Sequence, residues 1–193
     1  MDLILASTSP YRQKLLERLQ LPFRCVAPDT DESSHPGEQP EALAGRLARA
    51  KALSVAGDYP DAIIIGSDQV ASLNGSLMGK PGTHEAAVEQ LKASSGQQVR
   101  FHTGVALACA ARQLDWFHVE PFTAHFRQLT DPMIEDYLRR EQAYDCAGSF
   151  KCEGLGIALF ERLEGGDPTS LEGLPLIALT GLLTRAGLSI LKS

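Results

Sequence analysis

Ala62-Ile-Ile-Ile-Gly-Ser-Asp-Gln-Val-Ala71 is the stretch of this 193-residue chain from which the fold is read. Ile63, Ile64 and Ile65 run without a break, the pattern of a strand buried on both faces. The chain then turns polar at Gly66, Ser67, Asp68 and Gln69. That change predicts an acidic side chain at the mouth of a buried strand, held rigidly yet reaching solvent. Open α/β sheets carry their chemistry at such strand ends. Asp68 is therefore the candidate catalytic carboxylate. A capping or turn aspartate is the plainer alternative, and strands often end on one.

Toward the N-terminus, residues 3–5 read as a first strand. Ser9-Pro10 predicts a helix start, with the hydroxyl at the N-cap and proline at the first helical position. Leu15, Leu16 and Leu19 give that helix one apolar face. Ser7, Ser9 and Arg12 thus stand where a strand passes into a helix N-terminus, a place that favours anions. Residues 23–27 alternate as a short strand and lead into Asp29, Asp31 and Glu32. Clustered carboxylates are candidate ligands for a hard divalent cation, although a solvated acidic loop has the same look. Pro40–Ala56 reads as a long helix with Leu43, Leu47, Ala50 and Leu53 on one stripe. Lys51 lies on another face, free either to reach solvent along its stem or to point into a cleft.

Toward the C-terminus, the central strand continues through Leu73 into an Asn74-Gly75 hairpin. Thr83 predicts an N-cap for a helix that Gly96 ends. Residues 97–110 and 115–127 read as two long strands. Their apolar parity changes after Pro121, which predicts a bulge or bend there. Thr130 caps a helix carrying Ile134, Tyr137 and Leu138. Residues 145–154 are small and polar and are expected outside the core. Residues 155–160 read as a strand, and 173–185 as the last helix.

Composition narrows the function. Hydrophobic residues make up 44% and the formal charge is -6, which gives no footprint for gripping a nucleic-acid polymer. A small polyphosphate is still within reach of local lysines and arginines. Cys25, Cys109, Cys146 and Cys152 form no Cys-x-x-Cys and read as small core residues in a reducing, cytoplasmic setting. The first residues are apolar but too short and insufficiently basic for a secretory leader, and no apolar run reaches membrane-spanning length. The five histidines show no metal-ligand spacing. Gly154-Leu-Gly156 lacks the third glycine of a dinucleotide fingerprint, and Gly75 to Lys80 misses the spacing of a phosphate loop. There is no Gly-x-Ser-x-Gly elbow. What remains is Arg12, Glu32, Lys51, Asp68 and Lys80, each just past a strand or on a helix flanking one. Carboxylates that orient water and cations that offset phosphate charge suit phosphoryl chemistry.

Several motifs then stand together in order: Leu5-Ala-Ser-Thr-Ser-Pro-Tyr-Arg12, Asp31-Glu32, Lys51, Gly66-Ser-Asp-Gln-Val70, Gly79-Lys-Pro81 and Ala147-Gly-Ser-Phe-Lys-Cys-Glu-Gly154. In these the chain resembles the Maf family of nucleotide pyrophosphatases over nearly its whole length. The resemblance implies an ITPase-like α/β fold, with a mixed elongated sheet flanked by helices. It implies one domain over residues 1–193, with two lobes around a central cleft, often as a homodimer. It implies hydrolysis of a nucleoside triphosphate to the monophosphate and diphosphate, aided by Mg²⁺ or Mn²⁺. Carried over, Asp68 is the proton acceptor and a metal ligand, Glu32 a metal ligand, and Ser7, Arg12, Lys51 and Lys80 triphosphate contacts.

Three positions depart from the commonest family pattern: Tyr11 where many members have Arg, Gln69 where many have Thr, and Glu153 where many have Gln. They resemble the subgroup acting on 7-methyl-GTP, and point away from a plain pyrimidine triphosphate. N7 methylation makes guanine cationic, and an aromatic face attracts such a ring by roughly 0.5–2 kcal/mol. Tyr11 is then the stacking residue, with Glu153 and Gln69 setting base identity. Two other classes compete. Asp29 and Asp31 after a strand echo a haloacid-type phosphatase, with Asp29 as nucleophile. A nucleotide-binding regulator of cell division without turnover is the second.

Overall fold

One seven-stranded mixed sheet carries the chain, and the position of its gap decides where the site lies. The structure, a computed structural model, describes residues 2–191. In chain order its elements are β1 (Leu3–Ala6), α1 (Pro10–Glu17), β2 (Arg24–Val26), α2 (Pro40–Ala56), β3 (Ile63–Leu73), β4 (Ser76–Met78) and α3 (His84–Ser94). They continue with β5 (Gln98–Cys109), β6 (Leu114–Phe126), α4 (Asp131–Glu141), β7 (Phe160–Gly165) and α5 (Leu176–Arg185). The strand order is β2-β1-β3-β5-β6-β7, with β4 also on β3. β1 is parallel to β2 and β3, and every other pairing is antiparallel. No helix among the described residues is long and apolar enough to cross a membrane.

Local chemistry sets the entry points. Ser9 Oγ accepts from Arg12 N, and Pro10 opens α1. Thr83 Oγ1 accepts from Ala86 N at the start of α3. Asn74 and Gly75 take φ of 50° and 82°, the left-handed pair that a two-residue hairpin needs. β1 pairs with β3 as far as Ala6 opposite Gly66, and β4 takes up the same edge from Ala71 opposite Met78. Residues 67–70 therefore keep β5 on one side and meet no strand on the other. A cleft opens at that gap.

Helix α2 covers one face of the sheet at unusually short range. A Cβ on Gly66 would lie 2.1 Å from the Ala48 carbonyl oxygen, and one on Gly104 would lie 2.3 Å from that of Ala44. Glycine is what lets backbone approach backbone here. Ala48, Ala52 and Val55 then pack on Ile4, Ile64 and Ala106. On the opposite face the core falls into two groups. Leu16, Ile63, Ile65, Leu107, Leu179 and Leu183 gather under α1 and α5. Phe101, Phe122, Phe126, Ile134, Leu138 and Phe150 gather under α3 and α4.

Several sequence expectations are corrected. Asp68 lies in the middle of β3, not at its end, because β5 pairs with the strand from Ile64 to Leu73. The α2 stripe rotates: Leu53 is 43% exposed, and the alanines face the sheet because only small side chains fit against Gly66 and Gly104. Pro121 causes no break in the β5–β6 register. Phe117 and Val119 face α2 at Gly45, while Phe122, Ala124 and Phe126 enter the core of the other face, so both faces of β6 are apolar in different halves. Gly148, Ser149 and Phe150 are buried, with Phe150 edge-on to Phe101 and Phe160 at 5.2 and 5.0 Å between ring centroids. Leu155–Leu159 is a 3₁₀ turn, with bonds that span three residues from Ile157 N to Gly154 O and from Phe160 N to Ile157 O, and the strand begins only at Phe160. The last helix starts at Leu176 after Pro175. Of the four cysteines only Cys109 is buried.

Candidate active site

The chain just after β1 leads into α1 and forms one wall of the cleft, and the turn from β4 into α3 forms another. All nine candidate residues line this cleft of about 790 Å³: Ser7, Tyr11, Arg12, Glu32, Lys51, Asp68, Gln69, Lys80 and Glu153. Asp29 does not line it and is exposed.

At the foot of the cleft Lys51 is 5% and Asp68 7% exposed. The Lys51 ammonium donates to Asp68 Oδ1 at 2.6 Å and meets Glu32 Oε1 at 2.7 Å. Two carboxylates therefore share one cation, leaving the triad with a net negative charge. Asp68 Oδ2 keeps no protein partner among the described residues, so it is available to water. Partial burial pushes the Glu32 carboxyl up, but its hydrogen bond to Lys51 and the charges of Lys51, Lys80 and Arg12 outweigh that and hold it below the usual range.

Arg12 is fixed by a partner that the sequence reading missed. Its Nε donates to the Gly173 carbonyl at 2.9 Å, so the two terminal amino groups remain for an anion. Ser67 Oγ lies 2.9 Å from the same carbonyl oxygen and 2.7 Å from that of Gly104. Gly173 has φ of +108°, a conformation that side-chain-bearing residues rarely adopt. Desolvation lowers the Arg12 guanidinium from its ordinary value, and Asp68 and Glu32 counter it. Ser7 Oγ accepts from Ser9 N at 3.1 Å, which shapes the turn into α1. Lys80 is exposed at the rim.

A strap over residues 167–173 closes the far side. The buried Asp167 accepts from Thr169 N at 2.9 Å and from Ile177 N at 2.7 Å, which caps the start of α5. The strap then offers carbonyls to the sheet. Gln69 Nε2 donates to Ser170 O at 2.8 Å and to Leu171 O at 3.1 Å, and Thr103 Oγ1 donates to Ser170 O at 2.9 Å. The Gln69 side chain, on the central strand, thus has its amide hydrogens spent inside the protein. Gly173-Leu-Pro175 was the available signal for this strap: a glycine and a proline flanking a helix start.

The family model for Maf-like proteins matches residues 2–186. This chain belongs to the Maf family. The 7-methyl-GTP pyrophosphatase of Xanthomonas axonopodis pv. citri is 59% identical over 189 residues, 97% of this chain and 98% of that protein. The 7-methyl-GTP pyrophosphatase of Nitrosococcus oceani is 56% identical over 189 residues, 98% of this chain and 95% of that protein. A HAM1 protein from Coxiella burnetii shares the fold, with a TM-score of 0.54 over 96% of this chain and 99% of that one at 16% identity.

In this Maf chain Tyr11 and Glu153 line the cleft together with Asp145 and Cys146. Burial raises the Tyr11 hydroxyl from its ordinary value, and the neighbouring Lys151 opposes the rise. Glu153 is exposed, with Cys152 Sγ 3.5 Å from its Oε2. Asp145 and Glu172, which the sequence reading passed over, line the same cleft. The cleft lining therefore carries Arg12, Lys51 and Lys80 as well as Glu32, Asp68, Asp145, Glu153 and Glu172.

Among the described residues no group of three or more His, Cys, Asp or Glu could hold a metal ion unaided. Glu32 and Asp68 supply two carboxylates. Mg²⁺ is commonly bound by one or two carboxylates, with substrate phosphates and waters completing its shell. The donor set therefore fits a metal that arrives on a triphosphate.

Proposed function

We propose that this Maf chain is a nucleotide pyrophosphatase, a hydrolase of acid anhydrides, that converts 7-methyl-GTP and water to 7-methyl-GMP and diphosphate. The observation that carries it is the Lys51 ammonium held between Asp68 and Glu32 in a cleft that also contains Arg12 and Lys80. Asp68 accepts a proton from water, whose oxygen forms a bond to the α phosphorus. The bond from that phosphorus to the bridging oxygen breaks, and diphosphate leaves with the electron pair. Arg12, Lys51 and Lys80 offset the charge on the phosphate oxygens, and Ser7 lines the same entrance. A divalent cation, Mg²⁺ or Mn²⁺, held by Glu32 and Asp68 would add Lewis-acid stabilisation of that charge.

Tyr11 stacks on the base, and Glu153 opposes the positive charge that N7 methylation creates. Gln69 contributes its carbonyl and its shape, because its amide hydrogens are used by Thr103 and the strap. The reading assigns a small-molecule partner and a cytoplasmic place of action.

A nucleotide panel with diphosphate detection tests this, run in ¹⁸O-labelled water for the wild type and Asp68→Asn. The expected result is label in the monophosphate, preference for the methylated base, and loss of turnover in the variant. Orthophosphate release with a phosphorylated Asp29 would replace the proposal by the haloacid-type reading. Tight nucleotide binding with no turnover under either metal would replace it by the regulator.

A further inference from the structure

Residues 27–39 join β2 to α2 with neither helix nor strand between them, and they carry Glu32. A long connection of this kind stays ordered only where something ties it down. Among the described residues, the hydrogen bonds and ion pairs from 29–38 to the rest of the chain come from two side chains of α2, apart from the adjoining Gln39 Nε2 on the Gly37 carbonyl at 3.4 Å. Lys51 is one, at 2.7 Å from Glu32 Oε1. Arg46, earlier on the same helix, is the other. Its Nε donates to Glu38 Oε1 at 2.7 Å and its Nη2 to Glu38 Oε2 at 2.8 Å. The same Nη2 donates to the Ser33 carbonyl at 2.8 Å. Glu38 also accepts from the His35 N–H at 3.0 Å. Ser33 follows Glu32 directly, so Arg46 pins the peptide beside the carboxylate that matters.

The two tethers meet different fates. Lys51 and Glu32 both line the cleft, whereas Arg46, Ser33 and Glu38 lie outside it. On the reading proposed above Glu32 would help hold the metal of an incoming triphosphate, and to do so it would give up Lys51. The loop would then be loose if Lys51 were its only hold. The Arg46 fork touches nothing that changes. It is also better placed than an ordinary surface pair: the Glu38 side chain is 10% and that of Arg46 31% exposed. Planar two-point contact of this kind is specific to arginine. Arg46 and the His35 N–H hold the Glu38 carboxyl down at about 2, so the clamp stays charged across the neutral range.

We infer that Arg46 is a positioning residue for Glu32: by gripping Glu38 and the Ser33 carbonyl, it holds the loop at the cleft mouth while Glu32 exchanges Lys51 for the incoming metal. This rests on Glu32 being a metal ligand.

Two measurements on the full chain test it. The first is amide hydrogen exchange of residues 31–38 without substrate, for the wild type, Arg46→Gln and Glu32→Ala. Exchange should quicken sharply in Arg46→Gln and stay near wild type in Glu32→Ala. Equal acceleration in both variants would show that Lys51 is the anchor and overturn the inference. The second is the Mn²⁺ dependence of diphosphate release. In Arg46→Gln the half-saturating Mn²⁺ should rise about tenfold or more, as for other residues that orient a ligand, with turnover at saturating Mn²⁺ largely kept. Arg46→Lys should fall between, keeping the charge without the fork. A fall in turnover with unchanged Mn²⁺ dependence would also overturn it, since that is what mere structural damage does. A wild type that releases no diphosphate from any nucleotide counts against the proposed function instead, and the exchange comparison needs no substrate.

Discussion

The Lys51 ammonium lies 2.6 Å from Asp68 and 2.7 Å from Glu32, so one buried cation joins a carboxylate of the sheet to a carboxylate of a loop. The relation exists because α2 sits directly on Gly66 and Gly104. Taking paired charges out of water costs several kcal/mol per ion, and apolar replacements of such pairs are often as stable or more so. The arrangement is therefore better explained by chemistry than by stability. A carboxylate and a cation are presented together, at a height in the cleft that the helix packing sets.

Replacing either partner separates those two roles. Asp68→Asn keeps the shape and an acceptor for Lys51, so its melting temperature should move little, while turnover falls by about 10²–10⁴, the usual worth of a general base. Lys51→Met strands the Asp68 carboxylate under α2. It should lose about 3–5 kcal/mol of stability in urea unfolding as well as activity, the common cost of leaving one buried charge unpaired. Full diphosphate release by Asp68→Asn would remove this residue from the mechanism.

Gly66→Ala tests whether helix height controls the site. The new methyl would meet the Ala48 carbonyl at 2.1 Å and the Ala52 nitrogen at 2.6 Å, backbone atoms that move only with the whole helix. Overpacking of this kind costs about 1–3 kcal/mol or more. Shifting α2 also carries Lys51 away from Asp68. Urea unfolding and diphosphate release should therefore fall together, whereas an alanine at the exposed Gly57, with nothing within 4 Å of its Cβ, should leave both near wild type.

What the sequence made legible, and what it hid, follows from range. The Ser9 and Thr83 caps and the Asn74-Gly75 hairpin act through their own neighbours, and they stand where local rules put them. The long strands showed through alternation. Asp68 was displaced from strand end to strand middle because the polar run after Ile65 imitates a turn. Its polarity is answered instead by Lys51 from α2, and that of Ser67 and Gln69 by the strap at 167–173, both distant in the chain. Phe150 looked like a loop residue among small polar neighbours, yet three phenylalanine rings of other elements surround it edge-on. Leu53 looked buried by spacing, and only the glycines of β3 and β5 explain why alanines face the sheet. The nine residues were collected in one cleft, but Gly173 as the seat of Arg12 and Arg46 as the clamp on Ser33 needed coordinates.

Base preference should follow Tyr11 and Glu153. Tyr11→Leu removes the aromatic face, and should lower the ratio of kcat/KM for 7-methyl-GTP over GTP by about 2-fold to 30-fold, the range of an exposed to a desolvated cation–π contact. Glu153→Gln should lower the same ratio while leaving Mn²⁺ dependence alone. Tyr11→Trp should raise it, because the larger ring attracts a cation more strongly. Unchanged ratios in both Tyr11→Leu and Glu153→Gln would mean that the base is read elsewhere in the cleft, with Asp145 and Glu172 the next positions to vary.

The Arg46–Glu38 clamp gives a pH signature that does not depend on any substrate. Glu38 is held at about 2 in the folded chain against an ordinary 4.5, chiefly by its hydrogen bond to Arg46 and then by that from His35 N. A carboxyl whose folded value is depressed binds its proton more readily in the unfolded chain, so it stabilises the fold at pH values above 4.5. That contribution drains away as pH falls from 4.5 toward 2 and is gone below it. Glu38→Gln should therefore be less stable than the wild type by a constant amount at neutral pH, and the two urea-unfolding curves should converge over that acid window. A gap that is the same at pH about 7 and at pH about 2.5 would mean that Arg46 holds the loop by shape and hydrogen bonding, with no net gain from the charge.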